Sequence, residues 1–157
     1  GEIVFIIGGN GSGKSTFVKL LVGLYTAHDG DIKVNSLAVK EDNLKRHVAV
    51  VFSDPYLFTE NYSNIDMNKQ ADRLVYLTKL MRLEKVIAFP NGEARIDGDL
   101  SSGQHKRLAL MNALLEDKPI LVLDEWAAEQ DPEFRKFFYF ELLPLLRKEG
   151  KTIIAIT

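Results

Sequence analysis

The chain contains no cysteine, which excludes disulfide bridges, thiolate zinc sites and a cysteine nucleophile and suits a reducing compartment. No run of residues approaches the roughly 18 consecutive apolar positions of a membrane span, and no signal-peptide pattern opens the sequence. The three histidines, His28, His47 and His105, are scattered without metal-ligand spacing and read as surface or hydrogen-bonding residues. Internal repeats and low-complexity tracts are absent as well. Neither sign of charge dominates: 20 Lys+Arg stand against 22 Asp+Glu, and the net charge of −2 argues against a basic nucleic-acid or anionic-membrane surface as the main partner. What remains is 157 residues, 46% apolar and 27% charged, the make-up of one globular domain able to bury a core.

The apolar residues are arranged as strands alternating with helices. Gly1–Ile7 reads as a strand, Gly8–Gly13 as a glycine loop and Lys14–Leu24 as a helix with apolar spacing of three and four. Asp29-Gly30-Asp31 marks a turn before a short strand at Ile32–Val34, and Val48–Phe52 is a continuously apolar, β-branched strand. The more polar stretch of about 54–100 carries a helix near Ala71–Ala88 and ends in the turn-rich Pro90-Asn91-Gly92 and Asp97-Gly98-Asp99, reading as a helical insertion. A helix from about Gly103 to Glu116, a strand at Ile120–Leu123, a helix from about Pro132 to Lys148 and a strand from Thr152 complete the order. The pattern predicts an α/β domain with a mostly parallel central sheet, its core made by 1–53 and 101–157. Pro144, inside the last helical pattern, should kink or interrupt it. Both ends fall on strand patterns, so the sequence reads as a piece of a longer protein.

Two motifs bring chemistry to this frame. Gly8-Gly9-Asn10-Gly11-Ser12-Gly13-Lys14-Ser15-Thr16 fits G-x-x-x-x-G-K-[S/T] between a strand and a helix, the context a phosphate loop requires. Backbone N–H groups would curl around a polyphosphate, the helix N-terminus would add its positive end, Lys14 would reach the β and γ phosphates, and Ser15 would offer an oxygen to Mg²⁺. Ile120-Leu121-Val122-Leu123-Asp124-Glu125 sets two acids at the carboxyl end of a buried strand, where open parallel sheets bind ligands. Asp124 is suited to hold Mg²⁺ through its water shell and Glu125 to take the proton of an attacking water. Leu100-Ser101-Ser102-Gly103-Gln104 opens a further helix. It reads equally as a second anion site or as an ordinary N-cap.

The order of these motifs resembles the ATP-binding cassette (ABC) family over nearly the whole chain, with Leu100–Gln104 similar to the signature L-S-G-G-Q except for Ser102. The run Leu123–Arg135, with Phe137-Phe138-Tyr139 and Leu142-Leu143-Pro144, is similar to exporters of cyclic peptides, lipopeptides and peptide siderophores. The resemblance implies a P-loop NTPase fold with short antiparallel strands, ATP and Mg²⁺ as ligands, and a head-to-tail homodimer in which each ATP is sandwiched. Ser101, Ser102, Gly103 and Gln104 of one subunit would then face ATP held by Lys14 and Ser15 of the other, and Asp131 would cross the interface. It also implies a transmembrane domain in the same parent chain and a place on the cytoplasmic face of a bacterial inner membrane.

Departures from the family pattern are specific. Ser53, followed by Asp54, stands where Gln usually contacts Mg²⁺ and the attacking water; Ala128-Glu129-Gln130-Asp131 replaces S-A-L-D, and Trp126 takes a place often held by Pro. The adenine-stacking aromatic is expected upstream of Gly1 and the switch histidine just after Thr157. Two other readings fit the same motifs: a soluble ABC ATPase acting as a clamp on DNA or ribosomes, and a nucleotide-sensing subunit with weakened hydrolysis. A GTPase fits less well, because no Asn-Lys-x-Asp motif is present. The aromatic residues Trp126, Phe134, Phe137, Phe138, Tyr139 and Phe140 fall at helical spacing and are expected mostly in the core.

Overall fold

The computed structural model describes residues 1–57, 70–89, 95–96 and 98–157. In chain order, β1 (Ile3–Ile6) leads into α1 (Lys14–Leu21); β2 (Lys33–Val34) and β3 (Leu37–Ala38) form a hairpin; and α2 (Glu41–His47) runs directly into β4 (Val48–Val51). Then come α3 (Ala71–Leu80), β5 (Ile87–Ala88), β6 (Arg95–Ile96), α4 (Ser102–Leu115), β7 (Ile120–Asp124), a 3-10 turn (Trp126–Glu129), α5 (Pro132–Phe137), a π-helical segment (Phe138–Leu142), α6 (Leu143–Lys148) and β8 (Thr152–Ile156). The described chain forms two compact units, Gly1–Ser53 with Lys118–Thr157, and Asp54–Asp117. The second unit takes in both the stretch of about 54–100 and α4.

In the first unit four parallel strands form one sheet in the order β1-β8-β7-β4. Strand alternation sends side chains to two faces. On one face Val18 of α1 and Val22 at its C-cap pack with Val48, Val122 and Ile156, joined by Ile6, Val50, Ile120 and Ile154. On the other, Leu121, Leu123, Ile153 and Ala155 are buried, and α6 packs against β8. Continuous apolar runs in β4, β7 and β8 follow from this two-sided cover. β1, at one edge, is less covered than β4 at the other: Val4 and Phe5 are 38% and 47% exposed, and Phe5 meets Tyr139 with ring centroids 6.1 Å apart.

Local chemistry sets the ends of elements. α1 stops at Gly23 (φ 72°), where Gly23 N–H donates to Leu20 and Leu24 N–H to Lys19, closing the last turn with a left-handed residue. Asn35 and Ser36 both take positive φ, the two-residue hairpin turn between β2 and β3. The helix expected over Ala71–Ala88 ends at Leu80, because Arg82 turns left-handed (φ 54°) and Ile87–Ala88 pairs with β6 instead. Pro90-Asn91-Gly92 and Asp97 lie outside the described residues.

Within the second unit α3 and α4 pack together: Thr78 Oγ1 donates to Leu74 O at 2.8 Å and lies 3.7 Å from Met111 Sδ. At the end of α4, Gln70 donates to the carbonyl of Leu115 at 3.3 Å, and Arg73 donates at 3.0 Å to that of Leu114, which also accepts from Asp117 N–H at 3.2 Å.

The last helix is continuous rather than interrupted by Pro144. It widens to π-helical geometry over Phe138–Leu142, the turn where the proline ring would otherwise meet the carbonyl of Phe140. Trp126, Phe134 and Phe138 are buried in one aromatic cluster, while Phe140 is 74% exposed. Among the described residues no helix is long and apolar enough to cross a membrane.

Candidate nucleotide site

The carboxyl ends of the parallel strands gather the residues of the first unit that carry chemistry. Ile6, Ile156 and Asp124 are level across β1, β8 and β7, so the glycine loop and Glu125 leave the sheet at the same edge. β8 lies between β1 and β7, and two strand spacings put their ends about 10 Å apart. Ser53 follows β4 on the far side of β7, at the same edge.

The glycine loop is open where a phosphate would sit. Gly11 (φ 78°) and Gly13 (φ 90°) require conformations that side chains with a Cβ rarely adopt, and a Cβ at either would meet nothing within 4 Å. Gly8 is tight for another reason: a Cβ there would lie 2.7 Å from Ser12 Oγ. Gly13 is the N-cap of α1 and supplies no side-chain acceptor, so no side chain caps the first turn of this helix. A helix begun this way presents donors and the positive end of its dipole to an anion. Lys14 folds back, its Nζ donating to the carbonyls of Gly8 and Gly9, while Gly9, Asn10, Gly11, Ser12, Ser15 and Thr16 are exposed. The lysine is thereby held over the loop.

Asp124 is buried at the end of β7, whereas Glu125 is exposed just beyond it. Glu125 is left-handed (φ 48°, ψ 31°), an unusual state for a residue with a long side chain. Its N–H donates to Ile156 O at 3.0 Å, and its own carbonyl accepts from Ala128 N–H at 3.3 Å. The turn aims Glu125 away from the strand direction that Asp124 keeps. A hollow of about 200 Å³ opens here, lined by Glu125, Ala127, Ala128, Arg135, Tyr139 and Ile156 with Thr157. Ser15, Ser53 and Asp124 carry hydroxyl and carboxylate oxygens, the hard donor type that Mg²⁺ takes. Among the described residues no group of three or more His, Asp or Glu residues is disposed to hold a metal ion without further ligands.

The helix opened by Ser101 lies in the second unit and is considered there. Ser101 Oγ accepts from Gln104 N–H at 3.2 Å and Gln104 Oε1 accepts from Ser101 N–H at 2.9 Å, a reciprocal capping box. The N-cap reading of this segment is therefore realised locally; Ser101 and Ser102 remain exposed, Gly103 and Gln104 half-buried. Replacing Ser101 by Ala should cost about 1 kcal/mol of stability, read from the shift in urea midpoint; an unchanged midpoint would show that the box contributes nothing. His105 takes a hydrogen-bonding role, with Nε2 3.1 Å from Pro55 O. Sequence reasoning gives no role to Arg135, which donates to two carbonyls beside Glu125. The only signal was its spacing, four residues beyond Asp131 on the same helix.

A strand, an uncapped glycine loop and a lysine-bearing helix, with an Asp-Glu pair ending a strand two places away in a parallel sheet, define a P-loop NTPase. The family model described as ABC transporter matches residues 1–128, and the chain belongs to the ABC transporter family. The ATP-binding protein SyrD of Pseudomonas syringae pv. syringae is 44% identical over 162 residues, covering all of this chain and 28% of that protein. The thiamine import ATP-binding protein ThiQ of Histophilus somni is 32% identical, covering all of this chain and 76% of its own length. The ATP-dependent lipid A-core flippase of Burkholderia pseudomallei is 33% identical over 99% of this chain and 28% of the flippase. Among solved structures, CbiO1 of Clostridium perfringens, part of the ABC transporter complex CbiONQ, superposes with a TM-score of 0.78 at 26% identity, covering 99% of this chain and 66% of that one. The chain thus spans little more than a quarter of SyrD and of the flippase.

Proposed function

We propose that this chain binds ATP with Mg²⁺ and hydrolyses it to ADP and phosphate to drive export of a peptide, lipopeptide or siderophore-like cargo across a bacterial inner membrane. The observation that carries the ATPase part is the uncapped, open glycine loop under Lys14 at the same sheet edge as Asp124 and Glu125. Gly8–Gly13 and the first N–H groups of α1 hold the phosphates, with Thr16 on the same first turn. Lys14 gives up its carbonyl partners for the β and γ phosphates. Ser15, Asp124 and Ser53 would hold Mg²⁺, which when bound would offset the charge of the phosphate oxygens. Glu125 accepts a proton from water as its oxygen forms a bond to the γ phosphorus and the bond to the bridging oxygen of ADP breaks.

The hydroxyl of Ser53 is shorter in reach than the usual glutamine, so either a bridging water would fill the gap or Asp54 would take over the contact. The pairing is head to tail: Ser101, Ser102, Gly103 and Gln104 of one subunit close on the ATP of the other, leaving the capping box in place. The identity to SyrD, which exceeds that to ThiQ and the flippase, and the Leu123–Arg135 run support the peptide-export reading. The large unmatched share of SyrD and the flippase supports a transmembrane domain in the same parent chain.

Lys14→Ala should weaken ATP binding by about 10-fold to 100-fold, the loss of charge-assisted hydrogen bonds worth about 1.5–3 kcal/mol. Equilibrium binding of a fluorescent ATP analogue measures it; unchanged affinity would remove the loop from the nucleotide site.

A further inference from the structure

The loop between Glu125 and Asp131 is tied down at both ends. At the start, Glu125 is fixed to β8 through Ile156 O, and Trp126 is sunk into the aromatic cluster, 1% exposed. At the finish, Asp131 caps α5 by accepting from Phe134 N–H at 2.8 Å. Between these anchors, Arg135 Nη2 donates to Gln130 O at 3.0 Å and to Ala128 O at 3.3 Å. One guanidinium nitrogen therefore bridges two carbonyls of the loop, from a helix whose first turn the same loop caps.

The geometry points to Arg135 as a positioning residue for hydrolysis, which clamps the Ala128–Gln130 backbone and so keeps Glu125 left-handed and its carboxylate in place. A non-glycine residue in this conformation persists only when its surroundings over-determine it. The carbonyl of Glu125 is bonded to Ala128 N–H, and the carbonyl of Ala128 to Arg135. Releasing the arginine loosens the residue whose N–H restrains Glu125. Arg135 also lines the hollow that Glu125 lines, so the two act on the same space. A displacement of about 1 Å at a reacting group can cost on the order of 100-fold in rate.

This inference rests on Glu125 being the group that takes the proton from water, and the test separates the two. In the full-length protein Arg135→Met, which keeps the apolar stem of an exposed side chain, should lower kcat for ATP by about 10-fold or more while KM for ATP changes less than twofold. Arg135→Lys, with a donor but no fork, should recover part of the lost rate. In a Glu125→Gln background, Arg135→Met should add no further loss, because the arginine acts through that carboxylate. Independent, multiplying losses, or a fall in ATP affinity matching the fall in kcat, would overturn the positioning role. If Glu125→Gln is inactive while Arg135→Met turns over normally, this inference alone fails. Normal turnover by Glu125→Gln would instead remove the reading on which it rests.

Discussion

Glu125→Gln should abolish most ATP hydrolysis by the full-length protein, at least 100-fold, while leaving ATP affinity nearly unchanged. A positioned general base contributes about 10²–10⁴-fold, and the amide is isosteric with the carboxylate but has no site for the proton. The residue sits outside the phosphate loop, one position beyond the buried Asp124, so binding does not depend on it. Its left-handed backbone is held by main-chain bonds to Ile156 and from Ala128, which the substitution does not touch. Loss of rate without loss of binding is therefore the expected pattern. Phosphate release at saturating ATP, compared with analogue binding in the same preparation, measures it. Parallel loss of both would mean that Glu125 contributes to holding the nucleotide rather than to the chemical step.

Trp126→Ala should destabilise the first unit by about 3–5 kcal/mol, the usual cost of emptying a large buried aromatic site. The ring is 1% exposed and lies against Phe138 at 4.5 Å and Phe134 at 6.1 Å between centroids. Against a total stability of about 5–15 kcal/mol, that loss is severe. Trp126→Phe should cost less, because most of the contact is kept. Denaturant unfolding of the two variants decides the matter. A shift below about 1 kcal/mol for the alanine variant would show that the ring does not fill the core.

The α/β order, the glycine loop and the Asp124-Glu125 pair were all legible in the sequence because each rests on local pattern: β-branched runs, glycine spacing, and acids at the end of an apolar stretch. Less legible was anything decided by tertiary contact. The helix expected to reach Ala88 stops at Leu80, since pairing of Ile87–Ala88 with Arg95–Ile96 outweighs the helical periodicity of the stretch. Pro144 does not break its helix because the preceding π-helical turn makes room for it, an adjustment that no propensity encodes. Ser101 kept two readings in the sequence, and the capping box with Gln104 realises one of them without spending the exposed hydroxyl of Ser102. The role of Arg135 is not legible in the sequence because its partners are main-chain carbonyls, which leave no mark in the side-chain pattern.

Phosphate release from ATP by the full-length protein in lipid vesicles, with and without Mg²⁺ and beside the Lys14→Ala variant, tests whether the glycine loop serves ATP hydrolysis. Mg²⁺-dependent turnover is expected, reduced to background in Lys14→Ala. Absence of ATP turnover in the unaltered protein, or turnover indifferent to Lys14, would contradict that role.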